Sequence, residues 1–192
     1  MDRIVFAHAA ASRSLAGVHV KIESDLVAAL QFQALVLPGV GAFGAAASKL
    51  ALFAPSLRAA LASGHPTFGI CLGMQLLFES SEEGEGAGLS VFRGRVRKLN
   101  ARRVPHMGWN DVEVEKRDPL FDGVNHMLAY YANSYVADMV DENNVLAWTD
   151  YEGERFPAAV RRDRTWGVQF HPEKSGTAGL EVIRNFLEAA HQ

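Results

Sequence analysis

The stretch Thr67-Phe68-Gly69-Ile70-Cys71-Leu72-Gly73-Met74-Gln75 joins a strand pattern to a helix pattern, with a cysteine at the junction. Its first four residues form a short apolar run that predicts a strand, and a helical pattern follows from Leu72 to Phe78. A nucleophile on such a strand-to-helix turn has a strained backbone, which requires small residues two positions before and after it. Gly69 and Gly73 meet this requirement around Cys71.

Cys71 itself has two interpretations. A lone cysteine is most often a small residue of the hydrophobic core. A thiol at a helix N-terminus is instead favoured as the thiolate, which is the nucleophilic form. The backbone N–H of Leu72 would then point to the place where an oxyanion forms. The flanking glycines favour the second interpretation, so we expect a catalytic cysteine.

A catalytic cysteine requires a base, and usually a third group that orients the base. His171-Pro172-Glu173 follows the predicted strand Thr165–Phe170 and offers both an imidazole and a carboxylate. His65 lies in a turn shortly before the Cys71 strand and stays open as a base, although such turn residues are usually solvated. The remaining histidines that compete for the role are His8, His19, His106, His126 and His191.

A second glycine-rich turn, Pro38-Gly39-Val40-Gly41, follows the apolar run Ala34–Leu37, which predicts a strand buried on both faces. Ligands of open α/β sheets bind at the carboxyl edge of the strands, so we expect this turn at the same edge as Cys71. Glycines let backbone N–H groups approach a substrate oxygen closely. The turn lacks the spacing and the lysine of nucleotide-binding loops, so we interpret it as an oxyanion-binding segment.

Strand and helix patterns alternate through the first half of the chain, which predicts a parallel sheet covered by helices on both faces. The further strands predicted there are Ile4–Phe6 and Val18–Ile22, and the predicted helices are Asp25–Gln31 and Ala45–Ala62, the latter interrupted at Pro55.

The second half is dominated by alternating strand patterns. These segments are Val91–Leu99, Val112–Val114, Met127–Val136, Asn143–Thr149 and Phe156–Val160. Arg161–Arg164 predicts a polar hairpin turn, and Gly176–Ala190 predicts a closing amphipathic helix. We therefore expect a single α/β domain, residues 1–192, with an antiparallel extension of its sheet.

Length and composition exclude several classes of protein. The chain has 192 residues and a net charge of −3, which argues against an electrostatic nucleic-acid binder. Its single cysteine cannot form an internal disulfide, so we expect a cytoplasmic setting. No apolar run approaches the ~20 residues of a membrane span, and the first residues form no apolar signal segment. We expect neither a membrane nor a nucleic acid as partner.

Four blocks of the sequence resemble the class I glutamine amidotransferases, a family with a Cys-His-Glu triad. They occur in the family's order, and they are Pro38–Phe43, Gly69–Gly84, Pro105–Asn110 and Gly167–Ser175. The resemblance implies the family's three-layer α/β/α fold with a mostly parallel central sheet. It also implies that glutamine is hydrolysed to release ammonia, with no cofactor and no metal.

The resemblance implies a role for each site residue. Cys71 attacks the carboxamide of glutamine, His171 transfers the protons, and Glu173 orients His171. The oxyanion is held by the N–H of Leu72 and by a backbone N–H of the Val40-Gly41 turn. The residues implied in holding glutamine are Gly39, Gln75, Ser134 and Tyr135, the last two through their backbone.

The Pro105–Asn110 block and the Lys174-Ser175 ending resemble the branch of the family that works in histidine biosynthesis. Members of that branch pass ammonia to a (β/α)8-barrel cyclase subunit, which implies a heterodimer. By resemblance, Trp109, Tyr130 and Lys174 face this partner and line the ammonia route. A closed route is physically sensible, because ammonia released into water is mostly protonated and no longer nucleophilic. Without the resemblance, Trp109 is equally an ordinary buried aromatic and Tyr130 an ordinary sheet residue.

Two places depart from the family pattern. The loop His8–Ser14 contains alanines where the family has a glycine-containing loop that ends in asparagine. Asn133 stands where the family more often has histidine. Two alternative functions stay open: a glutaminase that serves another synthase, and a regulatory protein that keeps the scaffold without turnover.

Overall fold

A computed structural model describes residues 20–124, 126–138 and 141–192. The predicted strand Ile4–Phe6, the loop His8–Ser14 and the competing histidines His8 and His19 therefore lie outside the described residues. The described end of the second predicted strand, residues 20–22, is not in a strand, so that prediction is wrong there. Val20 and Ile22 are 39% and 56% exposed there.

The main sheet of the described residues has seven strands. In chain order these are β1 (Leu35–Gly39), β2 (Thr67–Cys71), β5 (His106–Val114), β6 (Met127–Asn133), β8 (Val145–Tyr151), β9 (Glu154–Arg162) and β10 (Thr165–Val168). Their order across the sheet is β1-β2-β10-β9-β8-β5-β6. β1, β2 and β10 are parallel neighbours, whereas the pairs from β10 to β6 are antiparallel. The predicted parallel sheet with an antiparallel extension is confirmed.

A smaller sheet lies beside the main one. It consists of β3 (Ser80–Ser81), β4 (Arg95–Lys98) and β7 (Tyr135–Asp138) in the order β3-β4-β7. The arginines of β4 are partly exposed and form ion pairs: Arg95 contacts Glu82, and Arg97 contacts Asp138 and Glu154.

Helices cover both faces of the main sheet. They are α1 (Leu26–Ala29), α2 (Phe43–Leu50), α3 (Ala54–Ala62), α4 (Leu72–Gln75) and α5 (Gly176–His191). Leu35 and Leu37 of β1 pack into a core with α2, α3 and α4. Phe68 of β2 packs on the opposite side, where its ring stacks on Phe186 of α5 at 5.0 Å. The three-layer α/β/α architecture is therefore confirmed.

Most predicted elements differ from the structure in their ends, and three of the differences have a clear physical cause or form. The pattern Ala45–Ala62 forms two helices, and Pro55 lies in the first turn of the second, where its missing N–H costs no hydrogen bond. The helix after Cys71 ends at Gln75 instead of Phe78, because the next carbonyls accept hydrogen bonds from the loop of residues 88–92. The strand Met127–Val136 is interrupted at Ser134, so it forms β6 and β7.

The predicted hairpin turn is confirmed, since Arg162 of β9 pairs with Thr165 of β10 and Asp163 in the turn has φ +53°. Among the described residues, no helix is long and apolar enough to cross a membrane.

Candidate active site

Cys71 lies at the junction of β2 and α4. Its backbone has φ +54° and ψ −112°, a conformation that residues other than glycine rarely adopt. The close approach of the two flanking segments explains the glycines. A Cβ on Gly69 would lie 2.8 Å from the carbonyl carbon of Gly73, and a Cβ on Gly73 would lie 1.7 Å from the carbonyl oxygen of Leu37. The thiol is buried, with 6% of Cys71 exposed. The strand-to-helix turn predicted from the sequence is confirmed.

His171 follows β10 by three residues and faces Cys71 from the neighbouring strand. Its Nδ1 lies 2.8 Å from Glu173 Oε1, which leaves the other ring nitrogen for the thiol. Burial alone would lower the pKa of His171, but the hydrogen bonds with Cys71 and Glu173 outweigh it and raise that pKa to about 9. The imidazole therefore holds a proton at neutral pH.

Replacing Glu173 with glutamine is expected to lower the pKa of His171 from about 9, because a carboxylate that stabilises the imidazolium is lost while burial stays. Replacing Cys71 with alanine is also expected to lower the pKa of His171, because the sulfur that stabilises the imidazolium is lost. Titration of the His171 ring signals by NMR measures both changes. The ring signals of His126, an exposed histidine outside the site, serve as the reference signals in the same spectra. An unchanged His171 pKa in both variants would contradict the arrangement in which Glu173 and Cys71 stabilise the protonated ring of His171.

The other described histidines do not share this arrangement. His106 is buried between the rings of Tyr131 and Tyr151, at 4.6 and 3.9 Å, and burial lowers its pKa to about 4. His65 is partly buried rather than solvated, and burial, followed by the charge of Arg164, lowers its pKa. His126 and His191 are exposed.

The turn after β1 lies directly beside Cys71. Gly39 is the register partner of Cys71 in the parallel pair β1–β2, and a Cβ on Gly39 would be 2.8 Å from Leu72 Cβ. Gly41 has φ +111°, and Val40 is 74% exposed. The structure therefore brings the predicted oxyanion segment Val40-Gly41 to the same sheet edge as Leu72.

The residues predicted to hold glutamine surround the start of α4. Gln75 Nε2 donates to the carbonyl of Tyr135 at 3.0 Å and to Gln169 Oε1 at 3.0 Å, so both protons of its amide are used within the protein. Asn133 Nδ2 donates to the same Tyr135 carbonyl at 3.1 Å. The Ser134 carbonyl accepts from the N–H of Leu99 at 3.0 Å. The segment Asn133–Tyr135 is thereby fixed against α4.

Gln169 is a site residue that sequence reasoning missed. Its side chain is fully buried, and its Nε2 donates to Cys71 Sγ at 3.6 Å. The available signal was a lone amide between Val168 and Phe170 in an apolar strand, because a buried polar side chain requires partners.

The side chains of Met107 and Trp109 on β5, and of Leu128 and Tyr130 on β6, lie on one side of the β5–β6 pair, which we call the hairpin face. Met107, Trp109 and Leu128 are 60%, 57% and 53% exposed, which excludes the buried interpretation of Trp109. Lys174 Nζ lies 5.4 Å from the centre of the Tyr130 ring, and the centres of the Tyr130 and Trp109 rings are 6.2 Å apart in an edge-to-face arrangement. The structure therefore brings Trp109, Tyr130 and Lys174 together.

The hairpin face is connected to His171 by hydrogen bonds. The Tyr130 N–H donates to Ser175 Oγ at 2.9 Å, and Ser175 Oγ donates to the His171 carbonyl at 2.6 Å. The His171 N–H also donates to the Tyr130 carbonyl at 2.8 Å. The backbone of His171 is therefore held by the strand that carries Tyr130.

The chain is similar to proteins of one known family. The family model "Glutamine amidotransferase class-I" matches residues 6–190. The "Imidazole glycerol phosphate synthase subunit HisH" of Halobacterium salinarum is 46% identical over 182 residues, which cover 90% of this chain and 83% of that protein. The protein of the same name from Thermococcus kodakarensis is 46% identical over 180 residues, 91% of this chain and 90% of its own.

Solved structures share the fold at lower sequence identity. One described as "Crystal structure of glutamine amidotransferase" has a TM-score of 0.65 and 23% identity, and the match covers 84% of this chain and 80% of that one. The glutaminase domain of Trypanosoma brucei CTPS with bound acivicin has a TM-score of 0.58 and 20% identity, over 84% and 73% of the two chains.

Proposed function

This chain belongs to the class I glutamine amidotransferase family, and we propose that it acts as the glutaminase subunit of an imidazole glycerol phosphate synthase in histidine biosynthesis. One observation carries the proposed chemistry: the strained turn presents Cys71 to His171, whose Nδ1 is held by Glu173 at 2.8 Å. The near relatives, which carry that enzyme's name, support the specific assignment. We treat residues 1–192 as one domain that performs this reaction.

The first half of the reaction forms a covalent intermediate. Cys71 Sγ attacks the carboxamide carbon of glutamine, and a C–S bond forms as the carbonyl oxygen becomes negative. The N–H of Leu72 and a backbone N–H of the Val40-Gly41 turn stabilise that oxyanion. His171 gives its proton to the amide nitrogen, the C–N bond breaks, and ammonia leaves a thioester on Cys71.

The second half restores the enzyme. A water molecule attacks the thioester carbon while His171 takes a proton from it, and glutamate leaves as the C–S bond breaks. The pKa of about 9 gives His171 the proton it needs for the first half at neutral pH. Glu173 keeps the ring oriented through Nδ1 in both halves.

Glutamine is held between Gly39 and the segment Ser134-Tyr135, with Gln75 beside them. Both protons of the Gln75 amide are used by Tyr135 and Gln169, so its remaining acceptor, Oε1, is the atom suited to a donor of the substrate. The α-ammonium group of glutamine is such a donor.

The hairpin face is where we place the partner, a cyclase subunit with a (β/α)8 barrel. Exposed apolar side chains clustered on one strand pair are typical of an interaction surface. The face adjoins His171 through Tyr130, so ammonia released at Cys71 reaches the partner past Trp109, Tyr130 and Lys174. The nucleophile must stay a free thiol, which fits a reducing cytoplasm.

Release of ammonia from glutamine by the purified chain tests the proposal. The rate is measured alone, with the cyclase subunit, and with the cyclase subunit and its nucleotide substrate. We expect low activity alone and a large rise with partner and nucleotide. Equal rates in all three states would reject control by the partner, and no ammonia in any state would reject the glutaminase.

Replacing Trp109 with alanine is expected to weaken binding to the cyclase about 30-fold or more, because truncating a large aromatic hot-spot residue at an interface costs about 2 kcal/mol or more. Calorimetric titration of the chain with the cyclase measures the change. Leu52→Ala is the matched control, since Leu52 is 84% exposed but lies outside the hairpin face. Equal binding by the two variants would move the interface elsewhere.

A further inference from the structure

A chain of side-chain amides lies behind the thiol of Cys71. Gln75 Nε2 donates to the Tyr135 carbonyl and to Gln169 Oε1, each at 3.0 Å. Gln169 Nε2 in turn donates to Cys71 Sγ at 3.6 Å, a normal length for an acceptor as large as sulfur. Gln169 is fully buried and Gln75 is only 4% exposed, so bulk water does not compete for these hydrogen bonds.

One backbone group fixes the orientation of both amides. A carbonyl oxygen only accepts hydrogen bonds, so the Gln75 atom that faces Tyr135 must be the nitrogen. This nitrogen donates its second proton to Gln169, so the facing atom of Gln169 must be the oxygen. The atom of Gln169 against Cys71 is therefore the nitrogen, which is a donor.

A buried donor at this place favours the charged form of the sulfur. A hydrogen bond to an anion is stronger than one to a neutral acceptor, and a thiol sulfur accepts only weakly. A group that binds the thiolate more strongly than the thiol makes the thiolate more abundant. The direction of the Gln169 amide therefore affects how reactive Cys71 is.

We propose that Gln169 is a positioning residue, which stabilises Cys71 as a thiolate and aims it at the substrate, with its amide oriented through Gln75 by the Tyr135 carbonyl. This inference rests on the proposed role of Cys71 as the nucleophile. It also connects the reactivity of the sulfur with the segment that holds glutamine, because Tyr135 belongs to that segment.

Alkylation of Cys71 by iodoacetamide tests the inference without glutamine. The chain has one cysteine, so mass spectrometry of the intact protein follows this thiol alone. The alkylation rate is measured between about pH 5 and pH 10, and its midpoint reports the thiolate. In Gln169→Met, which has a similar length and no donor, we expect the midpoint to rise by about one unit, and the rate at pH values below both midpoints to fall about 10-fold.

Three further variants separate positioning from packing. Gln169→Glu keeps an acceptor for Gln75 but adds a negative charge, so its midpoint is expected to rise at least as far, and it serves if Gln169→Met does not fold. Gln75→Met removes the hydrogen bond that orients the Gln169 amide, and it is expected to raise the midpoint less than Gln169→Met does. The double variant of Gln75→Met and Gln169→Met is expected to have the same midpoint as Gln169→Met alone. Asn185→Leu removes another buried amide, which donates to the carbonyls of Leu120 and Asp122, and is expected to leave the midpoint unchanged.

An unchanged midpoint in the Gln169 variants would overturn the inference, and so would an equal shift in Asn185→Leu. The outcome is independent of the proposed function. A chain without glutaminase activity whose midpoint still rises would reject the function and keep the role of Gln169. An active glutaminase whose midpoint does not change in the Gln169 variants would keep the function and overturn the role of Gln169.

Discussion

Alanine in place of Cys71 is expected to reduce release of ammonia from glutamine by about 10⁴-fold or more, because the covalent pathway is lost with the sulfur. The fold is expected to remain, since alanine keeps a Cβ at the same backbone conformation and the thiol fills little volume. An assay of ammonia with the cyclase and its nucleotide present measures the loss where the rate is highest.

Binding to the cyclase is the control for the same variant. Cys71 is buried and is not one of the exposed side chains of the hairpin face, so the affinity is expected to stay within about twofold. Full binding without ammonia release would locate the defect in the chemistry. Ammonia release at the normal rate would show that the nucleophile is another residue.

Alanine in place of Gly73 is expected to destabilise the fold by about 3 kcal/mol or more. The added Cβ would lie 1.7 Å from the carbonyl oxygen of Leu37, so β1 and α4 must move apart. This contact involves backbone atoms, which cannot turn aside as a flexible side chain can. Unfolding in urea measures the free-energy change.

The matched control is Gly153→Ala in the β8–β9 turn. Gly153 has a positive φ, +85°, which Gly73 lacks, and a Cβ there has no heavy atom within 4 Å. Its cost is therefore limited to the backbone conformation, about 1 kcal/mol. Similar losses of unfolding free energy in the two variants would mean that α4 and β1 can move apart at little cost. The strand-to-helix turn at Cys71 would then be less tightly packed than its geometry indicates.

The sequence predicted most clearly those features that depend on local spacing. Glycines two positions either side of Cys71 indicated the strand-to-helix turn, and its φ of +54° confirms it. His171 and Glu173 were close enough in sequence to suggest a pair. The ends of elements were less predictable, because the helix after Cys71 ends where the loop of residues 88–92 takes its carbonyls. That loop contact is tertiary and leaves no local pattern.

The role of Gln169 illustrates what spacing cannot provide. Its partners Cys71 and Gln75 are 98 and 94 positions away in the chain, and they meet only after β2 and β10 pair. The same holds for Trp109, whose exposure depends on which side of β5 faces the core. Alternation indicates two faces of a strand, but it does not say which of them another protein covers.

Ser175 joins the hairpin face to the segment that carries His171. Its hydroxyl bonds the backbone of Tyr130 and the backbone of His171, with no intervening loop. The backbone of the exposed strand pair and the backbone of His171 are therefore held together by hydrogen bonds, and we expect a displacement of one to reach the other. Coupling between the hairpin face and His171 would need no long relay through the core, because Ser175 and the direct hydrogen bond from the His171 N–H to the Tyr130 carbonyl join the two.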